Sequence, residues 1–238
     1  MMWFGVIDLP HAQGFTINVI NNLHFSGEQS DVEAFFIKAY APLGIAPSFV
    51  YFPSYRGLDM VNRGLLDAEA ARTELVAKEY DHLVKVPVVL GKLKVVFFCQ
   101  PQADCHSLEN KRIGVTGGYN MGITFCQDNQ LNCYFAPDLE TLVKVFDNRR
   151  VDAMLVPLYL APSLLCQSQT QQFVYRYIPE LEADIFHYVH RSHGALVAKL
   201  TASIIDAQST HLLQAVLDSW RKRLNQCNKK AFEFGTEQ

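Results

Sequence analysis

Strand and helix patterns alternate along the chain, and that alternation constrains its fold more than any single motif. "FTINVIN", Phe15 to Asn21, alternates apolar and polar residues as a strand does. "SDVEAFFIKAYAPLG" then puts Val32, Phe35, Phe36 and Ala39 on one helical face, with Ser30 or Asp31 as cap and Gly44 as stop. "SFVYF", a helix through Leu58, Val61 and Leu65, and "AEAART" complete a β-α-β-α-β series. Such a series predicts a mainly parallel sheet with helices on both faces.

The grammar restarts near Lys111. "RIGVTGG" reads as strand and turn, "YNMGITFCQD" as a short helix and "LNCYFAP" as a strand. "DLETLVKVFDNRR" follows as a helix capped by Asp138, with Arg149 and Arg150 in its last turn, and then "VDAMLVP" as a strand. Two α/β lobes follow from this, with "HLVKVPVVLGKLKVVFFC" crossing out of the first and "DIFHYVHRSH" returning to it. The expected boundaries are 14–98 with 187–238 for lobe one and 99–186 for lobe two, the C-terminal helices completing lobe one. At 238 residues the chain is long enough to bury about 70% of its unfolded surface. With 49% hydrophobic and 19% charged residues and a net charge of −3, it is an ordinary globular chain without the basic field of a nucleic-acid binder.

No apolar run reaches the ~18 residues of a membrane span. Residues 1–13, "MMWFGVIDLPHAQ", have a short apolar start and no Lys or Arg before it. They read as the remnant of a secretory signal or as a plain extension. Six cysteines form no Cys-x-x-Cys pair, so no metal is expected. They are disulfides in an exported protein or buried thiols, and Cys126 with Cys133 is the pair able to bridge a helix to the next strand.

The order and spacing of several segments resemble the family 3 extracellular solute-binding proteins, which have the type II periplasmic binding protein fold. "YRGLDMVNRGLLDAEAAR" is similar to the divergent subset reading Asp-Gly-Glu-x-x-Arg, here Asp67, Ala68, Glu69 and Arg72. "EYDHLVKVPVVL" is similar to that subset's Tyr-x-x-Leu-x-Arg-Val-Pro, with Lys85 for the arginine. "SLENKRIGVTGGYNMG", "LETLVKVFDNRRVDAML" and "FHYVHRSHGALVAKLTASI" match the second lobe and the return.

The resemblance implies two lobes joined by two hinge strands, and a monomeric periplasmic protein without cofactor. Such a protein captures a small polar or anionic solute for an ABC-type permease or a sensor. The alternative is an enzyme on the same scaffold, similar to cyclohexadienyl dehydratase. The family's amino-acid binders carry a Thr-x-x-Arg after this helix and an acid five residues beyond the Asp152 position. This chain has "AEAARTELVAK" and Pro157 there, which argues against an ordinary α-amino acid.

Candidate ligand groups follow. Arg72 suits a carboxylate or phosphate at a strand end, or else pairs with Asp67, Glu69 or Glu74. Glu69 is a ligand group for a cation or amine, a catalytic acid or base, or a structural partner. Gly117 and Gly118 form a strand-to-helix turn that is either an anion site or a bare turn, with Tyr119 and Asn120 facing the cleft. Tyr55 is the preferred aromatic after the second strand. Asp67 and Asp152 read as structural. His187, His190, His193 and His211 read as solvated or hydrogen-bonded, since three-residue spacing in a strand turns His187 and His190 to opposite faces.

Overall fold

The computed structural model describes residues 14–20, 28–75, 79–100, 105–117, 119–208 and 219–234. The first lobe begins with β1 (Thr16–Ile20), α1 (Glu28–Tyr40), β2 (Ser48–Phe52), α2 (Ser54–Asn62) and β3 (Ala68–Thr73). β1 runs parallel to β2 and β3. Ile17 and Val19 are buried on one face and Asn18 on the other, because α1 and α2 cover both. Two local expectations shift. Ser30 and Asp31 lie inside α1, which starts at Glu28, and α2 stops before Leu65 because Gly64 turns left-handed at φ 70°. Leu65 is left exposed on the turn.

The first predicted crossing strand is three short ones: β4 (Leu83–Lys85), β5 (Gly91–Leu93) and β6 (Val95–Cys99). β4 and β5 stay in the first sheet and β6 enters the second. There β7 (Ile113–Thr116), α3 (Asn120–Asp128), β8 (Cys133–Ala136), α4 (Leu139–Asp147) and β9 (Ala153–Pro157) make the parallel unit. Asp138 caps α4 by accepting from the Thr141 N–H at 2.6 Å. Arg149 and Arg150 fall beyond the helix end, where Arg149 takes φ 56°, and Lys144 is the basic residue of the last turn.

After α5 (Ala161–Leu165), β10 (Gln172–Tyr177) lies antiparallel to β6. β11 (Ala183–His190) returns antiparallel to β3, β4 and β5. The first sheet is therefore ordered β2-β1-β3-β11-β4, with β5 on β11, and the second β12-β10-β6-β9-β7-β8. α6 (Val197–Gln208) packs on α1 in lobe one.

The C-terminal end departs from expectation. α7 (Trp220–Gln226) and β12 (Lys230–Glu233) belong to the second sheet, not the first. Trp220 packs edge-on to Tyr175 at 5.4 Å, β12 pairs with β10, and a Cys166–Cys227 disulfide ties α7 to the end of α5. Helical periodicity predicts an amphipathic helix but not which of two apolar faces receives it.

All six cysteines pair among the described residues: Cys99–Cys105, Cys126–Cys133 and Cys166–Cys227. Cys126–Cys133 joins α3 to β8. Asp67 and Asp152 play matching structural parts. Asp67 accepts from the Thr16 N–H at 2.8 Å at the first residue of β1, and Asp152 accepts from the Arg112 N–H at 2.8 Å just ahead of β7.

Candidate functional site

β3 carries Glu69 and Arg72, which a regular strand would point to opposite faces. They meet because β3 is bulged. Phe186 pairs with Arg72 and Tyr188 with Glu69, so Ala70 and Ala71 together oppose His187 alone. The extra residue restores a common face to positions 69 and 72. The bulge is held from beneath by His187, whose Nδ1 lies 3.2 Å from the Ala70 carbonyl and whose Nε2 lies 2.7 Å from the Tyr40 hydroxyl. A carbonyl only accepts, so Nδ1–H donates and Nε2 accepts a hydrogen bond from the Tyr40 hydroxyl. His187 is fully buried in this neutral form, and burial lowers its pKa to about 4.

Glu69 is likewise fully buried. Its Oε2 accepts from Asn18 Nδ2 at 2.7 Å, and the Asn18 amide is oriented by its own Oδ1, which accepts from the Phe52 N–H at 3.1 Å. Oε1 stands 2.9 Å from Arg72 Nη2. Desolvation raises the Glu69 pKa to about 7 against the opposing pull of Arg72 and Asn18. Of the partners offered to Arg72 by sequence, the structure selects Glu69: Asp67 holds His193 Nε2 at 2.7 Å, and Glu74 holds Lys85.

The Arg72–Glu69 contact is close in charge yet poorly aligned. Arg72 Nη1 donates to the Ala71 carbonyl at 3.2 Å, while Arg72 Nε and Nη2 and Glu69 Oε1 have no aligned hydrogen-bond partner among the described residues. The pair is thus held by charge more than by a hydrogen bond, whose strength falls steeply with angle. A buried guanidinium therefore keeps donors in hand.

The second lobe faces these groups. Tyr159, just past β9, is close enough for Arg72 to draw its phenol pKa down, although burial raises it overall. Tyr119, ahead of α3, has its pKa raised by burial and then by Tyr159, and its hydroxyl is also without a partner. Tyr80 of lobe one has its pKa raised by burial and then by Glu79, Tyr55 and Asp59, with Arg72 pulling it down. Tyr55 on α2 donates to Asn120 Oδ1 on α3, a hydrogen bond from one lobe to the other.

Thus Arg72, Glu69, Tyr55, Tyr119 and Asn120 converge on one region between the lobes, and Gly118 lies outside the described residues. Tyr51 and Phe52 are inside β2, Tyr51 donating to Glu33 and Phe52 lying under Arg56 at 4.9 Å. The two structural aspartates are taken up by backbone N–H groups at strand starts. His190 lies beside Ser192 and His211 is outside the described residues. Among the described residues no group of three His, Cys, Asp or Glu is placed to hold a metal.

Sequence reasoning missed Asn18, Tyr80, Tyr159, His187 and Tyr40 as parts of this region. Asn18 had a signal: a polar residue in a strand that helices on both sides must bury.

The layout decides the fold. It is that of the type II periplasmic binding proteins. In this binding-protein fold the chain aligns with the BvgS VFT2 domain of Bordetella pertussis, at TM-score 0.67 and 13% identity over 87% of this chain and 93% of that one. It aligns with the GluR0 ligand-binding core in complex with L-glutamate at TM-score 0.67 and 12% identity, over 88% and 99%. The probable amino-acid ABC transporter extracellular-binding protein ytmK of Bacillus subtilis aligns at TM-score 0.66 and 13% identity, over 87% and 98%. No family model matches the chain, and no curated protein does.

Gly57 of α2 faces Asn18 so closely that a Cβ would lie 2.0 Å from Asn18 Nδ2. Gly57→Ala should therefore push Asn18 off Glu69 and cost about 2 kcal/mol despite the better helix propensity of alanine. A melting temperature equal to or above that of the wild type would refute this.

Proposed function

We propose that the protein is a periplasmic solute-binding protein that captures a small anionic or polar solute between its lobes and presents it to an ABC-type permease or a sensor. One observation carries the reading: a buried guanidinium, Arg72, ion-paired to Glu69 but with no aligned hydrogen-bond acceptor at Nε or Nη2 among the described residues, set between lobes that also offer a Tyr119 hydroxyl without a hydrogen-bond partner among those residues. Buried donors of this kind are costly unless a ligand supplies acceptors. Arg72, Tyr119, Tyr55, Asn120 and Gly118 are the proposed ligand groups, with Glu69 as the counter-charge beside Arg72. Pro157, buried at the end of β9, occupies the position where amino-acid binders place an ammonium partner, which favours an anion over an α-amino acid.

The neighbouring folds support binding rather than turnover, since they include substrate-binding proteins of amino-acid ABC transporters and a histidine kinase sensor domain. Three disulfides fit an oxidising compartment. No helix among the described residues is long and apolar enough to cross a membrane. We assign the segment around Asp67, Ala68, Glu69 and Arg72 to the divergent Asp-Gly-Glu-x-x-Arg subset, and lobe one to 14–93 with 183–208.

A dehydratase-like enzyme is the second reading, favoured by the Glu69 pKa of about 7. Both Glu69 oxygens face protein groups, so binding fits better than proton transfer to a substrate; product formation from a cyclohexadienyl compound would reverse that preference.

A thermal-shift panel of sulfate, acetate, benzoate, succinate, L-glutamate, L-arginine and putrescine tests the reading. An anion should raise the wild-type melting temperature, and Arg72→Gln should remove that shift. Equal shifts in both proteins, or shifts from the cations alone, would refute the assignment.

A further inference from the structure

We propose that anion capture at Arg72 is coupled to uptake of one proton by Glu69, on Oε1. The inference rests on the anion-capture reading above and adds a control built into the same site.

The atoms constrain the outcome. Glu69 is fully buried and its Oε2 is committed to Asn18 Nδ2, an orientation that the Phe52 N–H imposes on the Asn18 amide. Oε1 therefore remains as the oxygen on the Arg72 side. Among the described residues its ion-pair partner is Arg72, whose Nε and Nη2 have no aligned hydrogen-bond acceptor there. An anion that accepts from those donors places a second negative charge beside one buried guanidinium. Two anions then share one cation in a low-dielectric site, and the cheaper state neutralises the carboxylate that can take a proton.

Other titratable groups border this region: Glu79 acts on Tyr55 and Tyr80, Glu74 acts on Tyr188, and burial raises the Tyr119 pKa, and Glu69→Gln separates Glu69 from the other carboxylates. His187 on β11 is neutral with both ring nitrogens engaged, and Tyr188 opposite Glu69, Tyr80 in lobe one and Tyr159 in lobe two all have phenol pKa values raised by burial. From α2, Tyr55 is bonded to Asn120, Asp59 to Arg63, and Arg56 lies over Phe52. The proton comes from solvent, so free protein, one anion and one proton give a complex in which neutral Oε1–H donates where the carboxylate repelled. Glu69 titrates near neutrality in the free protein, which places the coupling in an accessible range.

The test uses benzoate and sulfate, neither of which titrates between pH 6 and 9. Calorimetry in buffers of different ionisation enthalpy should show about one proton taken up per benzoate at pH 8, with Kd rising up to about tenfold per pH unit above neutrality. Glu69→Gln keeps the Asn18 hydrogen bond and should bind without proton uptake and without that pH dependence. Wild-type binding with no proton uptake, or an unchanged pH dependence in Glu69→Gln, overturns the coupling while anion capture stands. Failure of both probes to bind also overturns it; a response to another anion of the panel would still leave capture intact, and none at all would remove both.

Discussion

Between pH 4.5 and 7 the stability of Glu69→Gln should gain about 3 kcal/mol on that of the wild type. The Glu69 pKa rises from 4.5 in the unfolded chain to about 7 on folding. The folded state thus favours the protonated acid, and the stability present below pH 4.5 is lost as pH climbs to 7. His187 works in the opposite sense. Its pKa falls from 6.5 to about 4, so its contribution is whole above pH 6.5 and disappears as pH drops to 4. In the wild type the two slopes nearly cancel across pH 4.5 to 6.5. Glutamine keeps the amide-sized group beside Asn18 and removes one slope, so the variant's own curve should climb by a similar amount from pH 4 to 6.5. Urea unfolding at half-unit pH steps measures both curves. Parallel curves for the two proteins would show that Glu69 is not the titrating group.

The second large effect lies in the Cys166–Cys227 disulfide. It spans 61 residues, against 6 and 7 for Cys99–Cys105 and Cys126–Cys133. Chain entropy scales with the logarithm of the closed loop, giving about 4 kcal/mol for the long loop and about 2 kcal/mol for each short one. Replacing Cys166 and Cys227 together by alanine should therefore cost about twice as much as replacing Cys126 and Cys133. It also frees α7, whose docking onto lobe two is otherwise carried by Trp220 and Leu224 in the core with Phe98, Phe173 and Tyr175. Denaturant unfolding of the two double variants decides this, and equal losses would refute the loop-length account.

Both effects arise from arrangements that the sequence shows only in part. "AEAART" identifies a buried strand, and Glu69 and Arg72 stand out in it as charges that need partners. Period-two logic nevertheless separates them, because it assumes a regular strand. The bulge at Ala70 and Ala71 overrides that assumption. It depends on His187, distant by 117 residues from Ala70, and on Tyr40 behind it. Tyr159 was invisible for a similar reason: nothing local says that the second residue past β9 comes to face Arg72 across the lobes.

The C-terminal helix shows a different limit. Its apolar residues specify burial, and two lobes offer a surface to receive it. The strand β12 and Cys227 direct it to lobe two, and each acts only through a partner, β10 or Cys166, elsewhere in the chain.

By itself, then, the sequence determined the alternating elements, the two parallel units and the residue types at the cleft, because these follow from local periodicity, capping and strand-end position. Tertiary structure alone decided which carboxylate meets Arg72, which lobe takes α7 and how Cys99, Cys105, Cys166 and Cys227 pair. Those outcomes depend on long-range contacts and one irregular backbone step, which local propensities do not encode.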